Sequence, residues 1–461
     1  MPGPPVRRAL HRNGLTIVGA LLTSAGAGLF LIFLVLEFLG LRGNPYMGLL
    51  FLLVCPALFV AGLLLMPVGV WLERRRRLAG RAPTDFRWPS LDLNDGSQRR
   101  TAFALAGLTA ANLLIVGIAA YSGLEYMDSP EFCGKLCHEV MEPEWAGYQE
   151  GAHSRVACVQ CHIGPGAPWF VKSKLSGLRQ VYAVTFNTHS RPIPSPVTDL
   201  RPARDTCEQC HWPEKFHGDA VRSVRTYADD EANTETVTSV RLHIGGINPM
   251  RGTASGIHWH VSAANRIEYI ASDERRQVIP YVRLDDGRGG VKEFFAEGTA
   301  AGALPAGERR VLDCIDCHNR PSHTFAYSVA RAVDESMAAG GLNSGLPFVR
   351  REVIKVLSVP YPDKPAAFAA IEQSLSGFYQ GREPAVSADS LSRTIETARH
   401  LYARNVFPSM RVTWETYPNN VGHSFPGPSP YPGCFRCHDD SHRTRDGAVI
   451  SQDCGLCHTI E

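Results

Sequence analysis

The chain has 461 residues, of which 44% are apolar and 20% charged, with 47 basic against 45 acidic side chains. This composition excludes a disordered polymer, and the near-zero net charge excludes a general nucleic-acid binder. The charge is unevenly divided, because residues 1–124 carry 12 arginines against 5 acidic residues, while residues 125–461 carry 35 basic against 40 acidic ones. This asymmetry predicts that the two parts of the chain occupy different environments.

Three uncharged stretches, residues 15–36, 46–72 and 101–124, are long enough to cross a bilayer, since a transmembrane helix needs about 20 apolar residues. Arginines are concentrated before the first stretch and in the loop 73–100, whereas the short link between the first two stretches holds only Arg42. The positive-inside rule therefore predicts a cytoplasmic N-terminus and a periplasmic location for everything after the third span. A cleavable signal peptide is the alternative, and it is disfavoured because the first apolar run is too long for a signal core.

Twelve of the 13 cysteines form six pairs, and each pair is followed immediately by a histidine. Two thiols about one turn apart can form thioethers to the two vinyl groups of one haem, while the adjacent imidazole ligates the iron. The pattern predicts six covalently attached c-type haems, although the first motif has one extra residue between its cysteines. The six motifs are Cys133, Cys137 and His138; Cys158, Cys161 and His162; Cys207, Cys210 and His211; Cys314, Cys317 and His318; Cys434, Cys437 and His438; Cys454, Cys457 and His458.

A zinc ribbon with four cysteine ligands is the alternative for the last two motifs, because 16 residues separate Cys437 from Cys454. Zinc does not require a histidine after the second cysteine of each pair. In addition, c-type haem is attached outside the cytoplasm, where the predicted spans put these residues. Both observations favour haem.

The other histidines supply candidates for the second axial ligand of each iron. His323 and His442 lie too close in sequence to the motif histidines before them to reach over the same porphyrin, so each is expected to serve a neighbouring haem. His423, in a loop rich in proline and glycine, is a candidate for a C-terminal haem. His258 and His260 alternate, so both face one way if the segment is a strand; one would then ligate and the other hydrogen-bond.

His189, His243 and His400 are interpreted as ordinary surface histidines. Bis-histidine ligation fills both axial positions of a haem, so such haems transfer electrons and bind no substrate at the iron.

The region of the first two motifs resembles the NapC/NirT (NrfH-like) family of membrane-anchored multihaem quinol dehydrogenases. The resemblance rests on Met127-Asp-Ser-Pro-Glu-Phe-Cys133-Gly-Lys-Leu-Cys-His138-Glu-Val-Met141, on His153 before the second motif, and on the fourth motif followed by His323. It covers roughly residues 101–215 and 310–325. It implies four haems, the first of which lies near the bilayer and accepts electrons from menaquinol or ubiquinol.

The resemblance also implies distal ligands. His153 would serve the haem of Cys207 and Cys210, and His323 the haem of Cys158 and Cys161. For the fourth haem it suggests His217, with His258 or His260 as the competitor. The chain departs from the family in its three spans and its longer first motif, and the position of Met141 leaves open whether it ligates the first iron.

The remaining segments predict regular structure around the haems. Residues 236–243, 267–270 and 277–284 are β-branched and alternating, which predicts a small sheet in an insertion at residues 216–313. Residues 326–339, 364–379 and 388–405 have helical spacing, with Ser387 or Ser390 as an N-cap.

The predicted architecture is a membrane-anchored multihaem cytochrome c. Three N-terminal transmembrane helices precede a haem-packed, mainly helical and irregular periplasmic domain with a small β-rich insertion. The predicted divisions are a membrane anchor, a NapC/NirT-like region with haems 1 to 3, the insertion, a fourth-haem and helical region, and a two-haem C-terminal module. Their bounds are 1–124, 125–215, 216–313, 314–410 and 411–461.

The sequence thus favours oxidation of quinol from the membrane pool and transfer of its electrons to a periplasmic cytochrome or reductase, with a further membrane subunit as a possible partner. Quinol oxidation releases protons, and Glu139, Lys172 and Lys174 are the candidate bases nearest in sequence to the first haem. One alternative is an electron-transfer subunit fed by a partner protein. A terminal multihaem reductase is the other.

Overall fold

The computed structural model describes residues 14–38, 55–76, 92–136, 138–164, 166–197, 200–247, 254–299, 304–382, 386–423 and 431–460. The chain divides into two compact units, residues 1–132 and residues 133–461. Each unit is described by itself below.

Long apolar helices make up the described part of the first unit: α1 (Gly14–Phe38), α2 (Cys55–Arg76) and α3 (Gly96–Met127). All three are long and apolar enough to cross a membrane, so the predicted spans are confirmed as helices, although residues 46–54 of the second lie outside the described residues. Helices α1 and α2 pack closely at Gly19 and Gly62. A Cβ atom on Gly19 would lie 2.8 Å from the carbonyl oxygen of Gly62, so the absence of side chains permits this approach.

The second unit begins with short helices that carry haem motifs. After a π-helical turn (Phe132–Leu136) come α4 (His138–Gln149), α5 (Cys158–His162), the longer α6 (Ala167–Thr185) and α7 (Ala203–Cys207). Further along the chain, α8 (Cys314–Cys317) carries the fourth motif.

The insertion folds into antiparallel sheets, as predicted. A three-stranded sheet has the order β1-β2-β9, and a four-stranded sheet has the order β7-β6-β5-β8. The strands of the first are β1 (Ala220–Tyr227), β2 (Glu235–Leu242) and, from the C-terminus of the chain, β9 (His458–Ile460). Between the sheets lies the pair β3 (Gly246–Ile247) and β4 (Ala254–Ser255), and the second sheet comprises β5 (Arg266–Ile270), β6 (Tyr281–Asp285), β7 (Val291–Phe295) and β8 (Arg309–Val311).

A helical region supplies the largest apolar core of the second unit, with Val333, Val353 and Ile371 fully buried at its centre. Ser387 caps the last of its helices by accepting a hydrogen bond from the backbone of Ser390, so one of the two predicted N-caps is confirmed. The helices are α9 (Val329–Ala338), α10 (Val349–Leu357), α11 (Lys364–Tyr379) and α12 (Ala388–Asn405).

The segment that holds His258 and His260 is not a strand. Residues Ile257–Val261 form a 3-10 helix, so the condition under which both imidazoles would face one way is not met. Gly256, the residue before this helix, has a φ of 68°. Glycine adopts this left-handed conformation readily, so the chain turns here and enters the 3-10 helix instead of continuing as an extended strand.

Candidate haem-binding site

Five of the six motif histidines face a second imidazole from elsewhere in the chain. Each of the five facing histidines lies far in sequence from the motif it meets. The pairs, with the distance between ring centroids, are His162 with His323 (6.1 Å), His211 with His153 (6.0 Å), His318 with His258 (6.5 Å), His438 with His260 (5.7 Å) and His458 with His423 (6.1 Å).

These distances fit the space that a haem iron needs. Two imidazoles that bind one metal from opposite sides have ring centroids roughly 6 Å apart, because each metal–nitrogen bond is about 2 Å long. For His260 and His438 the two Nε2 atoms lie 3.5 Å apart, so the nitrogens themselves face each other. The residues present therefore fit c-type haem, with two cysteines for attachment and two imidazoles for the iron at each of the five motifs.

The other ring nitrogen of four facing histidines is held by the backbone. Nδ1 of His153 lies 3.1 Å from the carbonyl oxygen of Pro321, and Nδ1 of His323 lies 2.9 Å from that of Glu144. His258 and His260 make the same contact with the carbonyls of Ile244 and Ile257. An Nδ1–H donated to a carbonyl fixes the tautomer that leaves the lone pair on Nε2 for a metal.

His258 and His260 face different motifs, the fourth and the fifth, instead of sharing one site as ligand and hydrogen-bonding partner. The side chain of His217, the residue that the family resemblance suggested for the fourth haem, is exposed to solvent. It is His258 that the structure brings to His318.

His442 does not face a motif histidine. The residue is 1% exposed, its Nδ1 contacts the carboxylate of Asp439 at 2.8 Å, and its Nε2 contacts the carbonyl oxygen of Ile279 at 2.7 Å. Both ring nitrogens are thus engaged by protein atoms, and the expected role as a distal ligand is not supported.

The first motif is described only in part. Cys133 lies in the π-helical turn, and the wider winding of a π-helix accommodates one more residue per turn than an α-helix. This geometry accounts for the extra residue of the motif. Cys137 and the side chain of His138 lie outside the described residues, and Met141 is half-buried in α4.

Motifs two to six form a series in which each lies beside the next. The sulfur of Cys161 lies near that of Cys207, and the sulfurs of Cys207 and Cys314 are adjacent. The sulfur of Cys317 lies near that of Cys434, which in turn lies near that of Cys457. The helices agree with this order, because α5 packs against α7 and α7 against α8.

A buried polar network joins the fourth and fifth motifs. The guanidinium group of Arg436, between Cys434 and Cys437, donates to the carbonyl oxygens of Asp316 (2.6 Å), Gly433 (2.8 Å) and Arg276 (2.9 Å). The carboxylate of Asp316 caps α8 and accepts from the hydroxyl of Tyr269. Burial and the adjacent carboxylate of Asp316 raise the pKa of Tyr269, so this hydroxyl remains a donor.

The zinc-ribbon alternative for the last two motifs finds no support. Among the residues that the structure describes, no three Cys, His, Asp or Glu side chains converge on a point that could hold a metal ion.

The three candidate bases lie on two helices of the second unit. Glu139 is exposed at the start of α4. On α6, the ammonium group of Lys172 lies 4.9 Å from the ring centre of Trp169, and that of Lys174 lies 4.9 Å from the ring centre of Phe170.

His189 is a residue that sequence reasoning missed. Both of its ring nitrogens are buried, and neither has a hydrogen-bond partner among the described residues. No sequence signal distinguishes it from His243, which contacts Asp219, or from His400, which contacts Glu150. Only the fold separates them.

Comparison with known proteins identifies relatives along most of the chain. Residues 96–192 match the family model described as NapC/NirT cytochrome c family, N-terminal region. The chain is 41% identical over 453 residues to the cytochrome c-type protein ImcH of Geobacter sulfurreducens, covering 97% of this chain and 88% of that one. It is 30% identical over 145 residues to the cytochrome c-type protein TorC of Escherichia coli K12, covering 25% of this chain and 36% of TorC. No solved structure matches the chain.

Proposed function

The chain belongs to the NapC/NirT cytochrome c family, and we propose that it is a membrane-bound hexahaem cytochrome that oxidises quinol and passes the electrons to a periplasmic acceptor. The observation that carries this proposal is the series of five facing histidine pairs beside motifs that adjoin one another from the second to the sixth. When bound, the haems supply one-electron carriers along this series. The protein supplies the attachment cysteines and imidazoles, and it fixes their order.

The orientation of the protein follows from the arginine-rich segments around the first two spans. With the N-terminus in the cytoplasm, the second unit lies in the periplasm, where c-type haem is attached. Residues 125–461, which follow the third span, carry 40 acidic against 35 basic residues, and this excess favours an acceptor, a cytochrome or reductase, that presents basic groups.

Helix α6 supports a substrate that is reached from a membrane. One face of this helix carries four apolar residues at helical spacing, and each of them is more than half exposed. They are Val171, Leu175, Leu178 and Tyr182. Lys172, Lys174 and Arg179 flank this face. A helix with an exposed apolar face and flanking cations is typical of a segment at a membrane surface.

The proton chemistry is assigned to Glu139, Lys172 and Lys174. Oxidation of one quinol releases two protons together with two electrons, so a base must accept each proton as the hydroxyl group loses it. The exposed carboxylate of Glu139 can accept a proton directly. Lys172 and Lys174 are the other two candidate bases, and their position over Trp169 and Phe170 also allows them to orient an aromatic quinol ring and its hydroxyl groups.

Two other functions remain as competitors. A relay subunit fed by a partner protein, in the membrane or outside it, would contain the same haem series but would not react with quinol. A terminal reductase needs an iron with an open axial position, and the five facing pairs argue against such a position at motifs two to six.

Anaerobic mixing of the detergent-solubilised, haem-loaded protein with a menaquinol analogue tests the proposal, with haem reduction followed by absorbance. We expect rapid reduction that slows at least about tenfold in Lys172→Met, Lys174→Met or Glu139→Gln, since general acid–base groups contribute about 100-fold or more. Lys355→Met is the matched control, because Lys355 is an exposed lysine of α10, far along the chain from the proposed bases. No reduction by quinol, with complete reduction by dithionite, would contradict quinol oxidation and favour the relay subunit.

A further inference from the structure

The two buried ring nitrogens of His189 need a partner that the described protein atoms do not provide. Each ring nitrogen of a histidine is either a donor or an acceptor, and leaving such a group buried without a partner costs about 1–3 kcal/mol. Both nitrogens of His189 are in this position.

Other histidines of the second unit are accounted for. Five motif histidines face five others, and His442 is engaged at both nitrogens. His243 and His400 contact carboxylates, and His217 is exposed. The first motif is the one without an assigned distal imidazole, and His189 is the imidazole without an assigned role.

Packing brings the His189 segment to the helix that starts with the first motif. Val184 and Ile193, on either side of His189, pack against a buried cluster that includes Val140 of α4, two residues after His138. Met141 is a poorer distal candidate, because it lies one turn from His138 on the same helix, α4. A distal ligand must approach the porphyrin from the opposite face, so another segment has to supply it.

We infer that His189 is the distal axial ligand of the haem attached at Cys133 and Cys137. The inference rests on the proposed haem content. It makes the first haem bis-histidine ligated, like the other five, so its iron is low-spin and closed to external ligands. Quinol then gives its electrons to this haem without binding to the iron.

Spin state tests the assignment independently of activity. The haem content of the full-length protein is first counted by pyridine haemochrome, and electron paramagnetic resonance then gives the fraction of high-spin ferric haem. We expect six haems and essentially no high-spin signal in the wild type. In His189→Ala we expect about one haem in six to become high-spin and, after reduction, to bind carbon monoxide.

Three further samples make the result decisive. His217→Ala, which removes an exposed histidine, should leave the spectrum unchanged, whereas added imidazole should restore the low-spin signal of His189→Gly. Fewer than six haems in the wild type would contradict the proposed haem content. Six haems with a spin state that His189→Ala leaves unaltered, or a high-spin haem produced by Met141→Leu and not by His189→Ala, would overturn the ligand assignment alone.

Discussion

At the scale of single residues, the tautomers of the facing histidines are set by backbone carbonyls. In four of these histidines the Nδ1–H group donates a hydrogen bond to a backbone carbonyl oxygen, that of Pro321, Glu144, Ile244 or Ile257. This bond directs the Nε2 lone pair of each ring toward the opposite motif histidine. The ligand positions are therefore organised by the protein itself.

Replacement of the histidines in the 3-10 helix should affect one haem each. We expect His258→Ala and His260→Ala each to convert about one haem in six from low-spin to high-spin, and the double variant to convert two, because these residues face different motifs. Electron paramagnetic resonance gives the count, with His243→Ala as the control. One high-spin haem in the double variant would mean that both histidines serve a single site.

Arg436 should be important for the junction of the fourth and fifth motifs. Arg436→Met removes the guanidinium donor from three carbonyl oxygens, of which that of Asp316 keeps a hydrogen bond from the amide of Asn420, and a buried polar group that loses its partner costs about 1–3 kcal/mol. We expect a marked fall in melting temperature measured by circular dichroism, whereas Arg445→Met, which removes an exposed arginine from the same region, should change it little. Equal melting temperatures for the two variants would contradict this role.

At the scale of elements, some helices of the second unit were predicted from the sequence, whereas α6 and α10 were not. Residues 364–379 and 388–405 were predicted with the bounds that α11 and α12 have, because their periodicity and capping residues are local signals. Strand β1 was missed, since its alternation is weak and its pairing with β2 is a tertiary contact. The 3-10 helix around His258 was not predicted, because the turn at Gly256 was not recognised.

The helical region should become less stable at alkaline pH through Tyr379. Burial, followed by the nearby carboxylate of Glu352, raises the pKa of Tyr379 to about 12, above the value of about 10 for an unfolded chain. Its contribution to stability is complete below pH 10 and is lost as the pH rises toward 12, because the unfolded chain ionises first.

Tyr379→Phe isolates this contribution. At pH 7 the variant should be less stable than the wild type by about 1 kcal/mol, because it loses the hydrogen bond to the carbonyl of Pro347. The difference in free energy of unfolding between the two proteins should become smaller near pH 11. At that pH the tyrosine of the unfolded wild type is ionised, which favours unfolding, whereas phenylalanine does not ionise. Denaturant unfolding of both proteins at both pH values measures this difference. A difference that does not change with pH would contradict the raised pKa of Tyr379.

The apolar face of α6 should be required for reaction with quinol at a membrane. We expect the double variant Leu175→Glu and Leu178→Glu to reduce quinol-driven haem reduction in liposomes several-fold, because the charges oppose burial of this face. Ser176→Glu with Gln180→Glu adds the same charge elsewhere on the exposed surface of α6 and serves as the control. Equal rates for the two double variants would exclude a role for the apolar face.

At the scale of the whole molecule, the candidate haem-attachment motifs could be identified from the sequence, but the histidines that face them could not. The cysteine pairs and proximal histidines are local motifs, and apolar length alone predicted the three spans. The facing histidines are brought in by the fold over long separations, as for His260 and His438, which lie 178 residues apart. For this reason the sequence did not show that His258, and not His217, faces the fourth motif, or that both nitrogens of His442 are engaged by protein atoms.

The series of motifs implies that electrons pass along it in one order. The third motif lies beside the second through Cys207 and Cys161, and beside the fourth through Cys207 and Cys314. Removing the haem of this motif should therefore separate the haems before it from those after it.

The most direct test is quinol reduction of the variant Cys207→Ala/Cys210→Ala, followed anaerobically by absorbance until it stops. The account predicts rapid reduction of about two of the five remaining haems, with the other three reduced much more slowly, although dithionite reduces all five. In the control Cys454→Ala/Cys457→Ala, which lacks the last haem of the series, all five should be reduced rapidly. Rapid reduction of all five haems in the Cys207→Ala/Cys210→Ala variant would contradict a single ordered path through the protein.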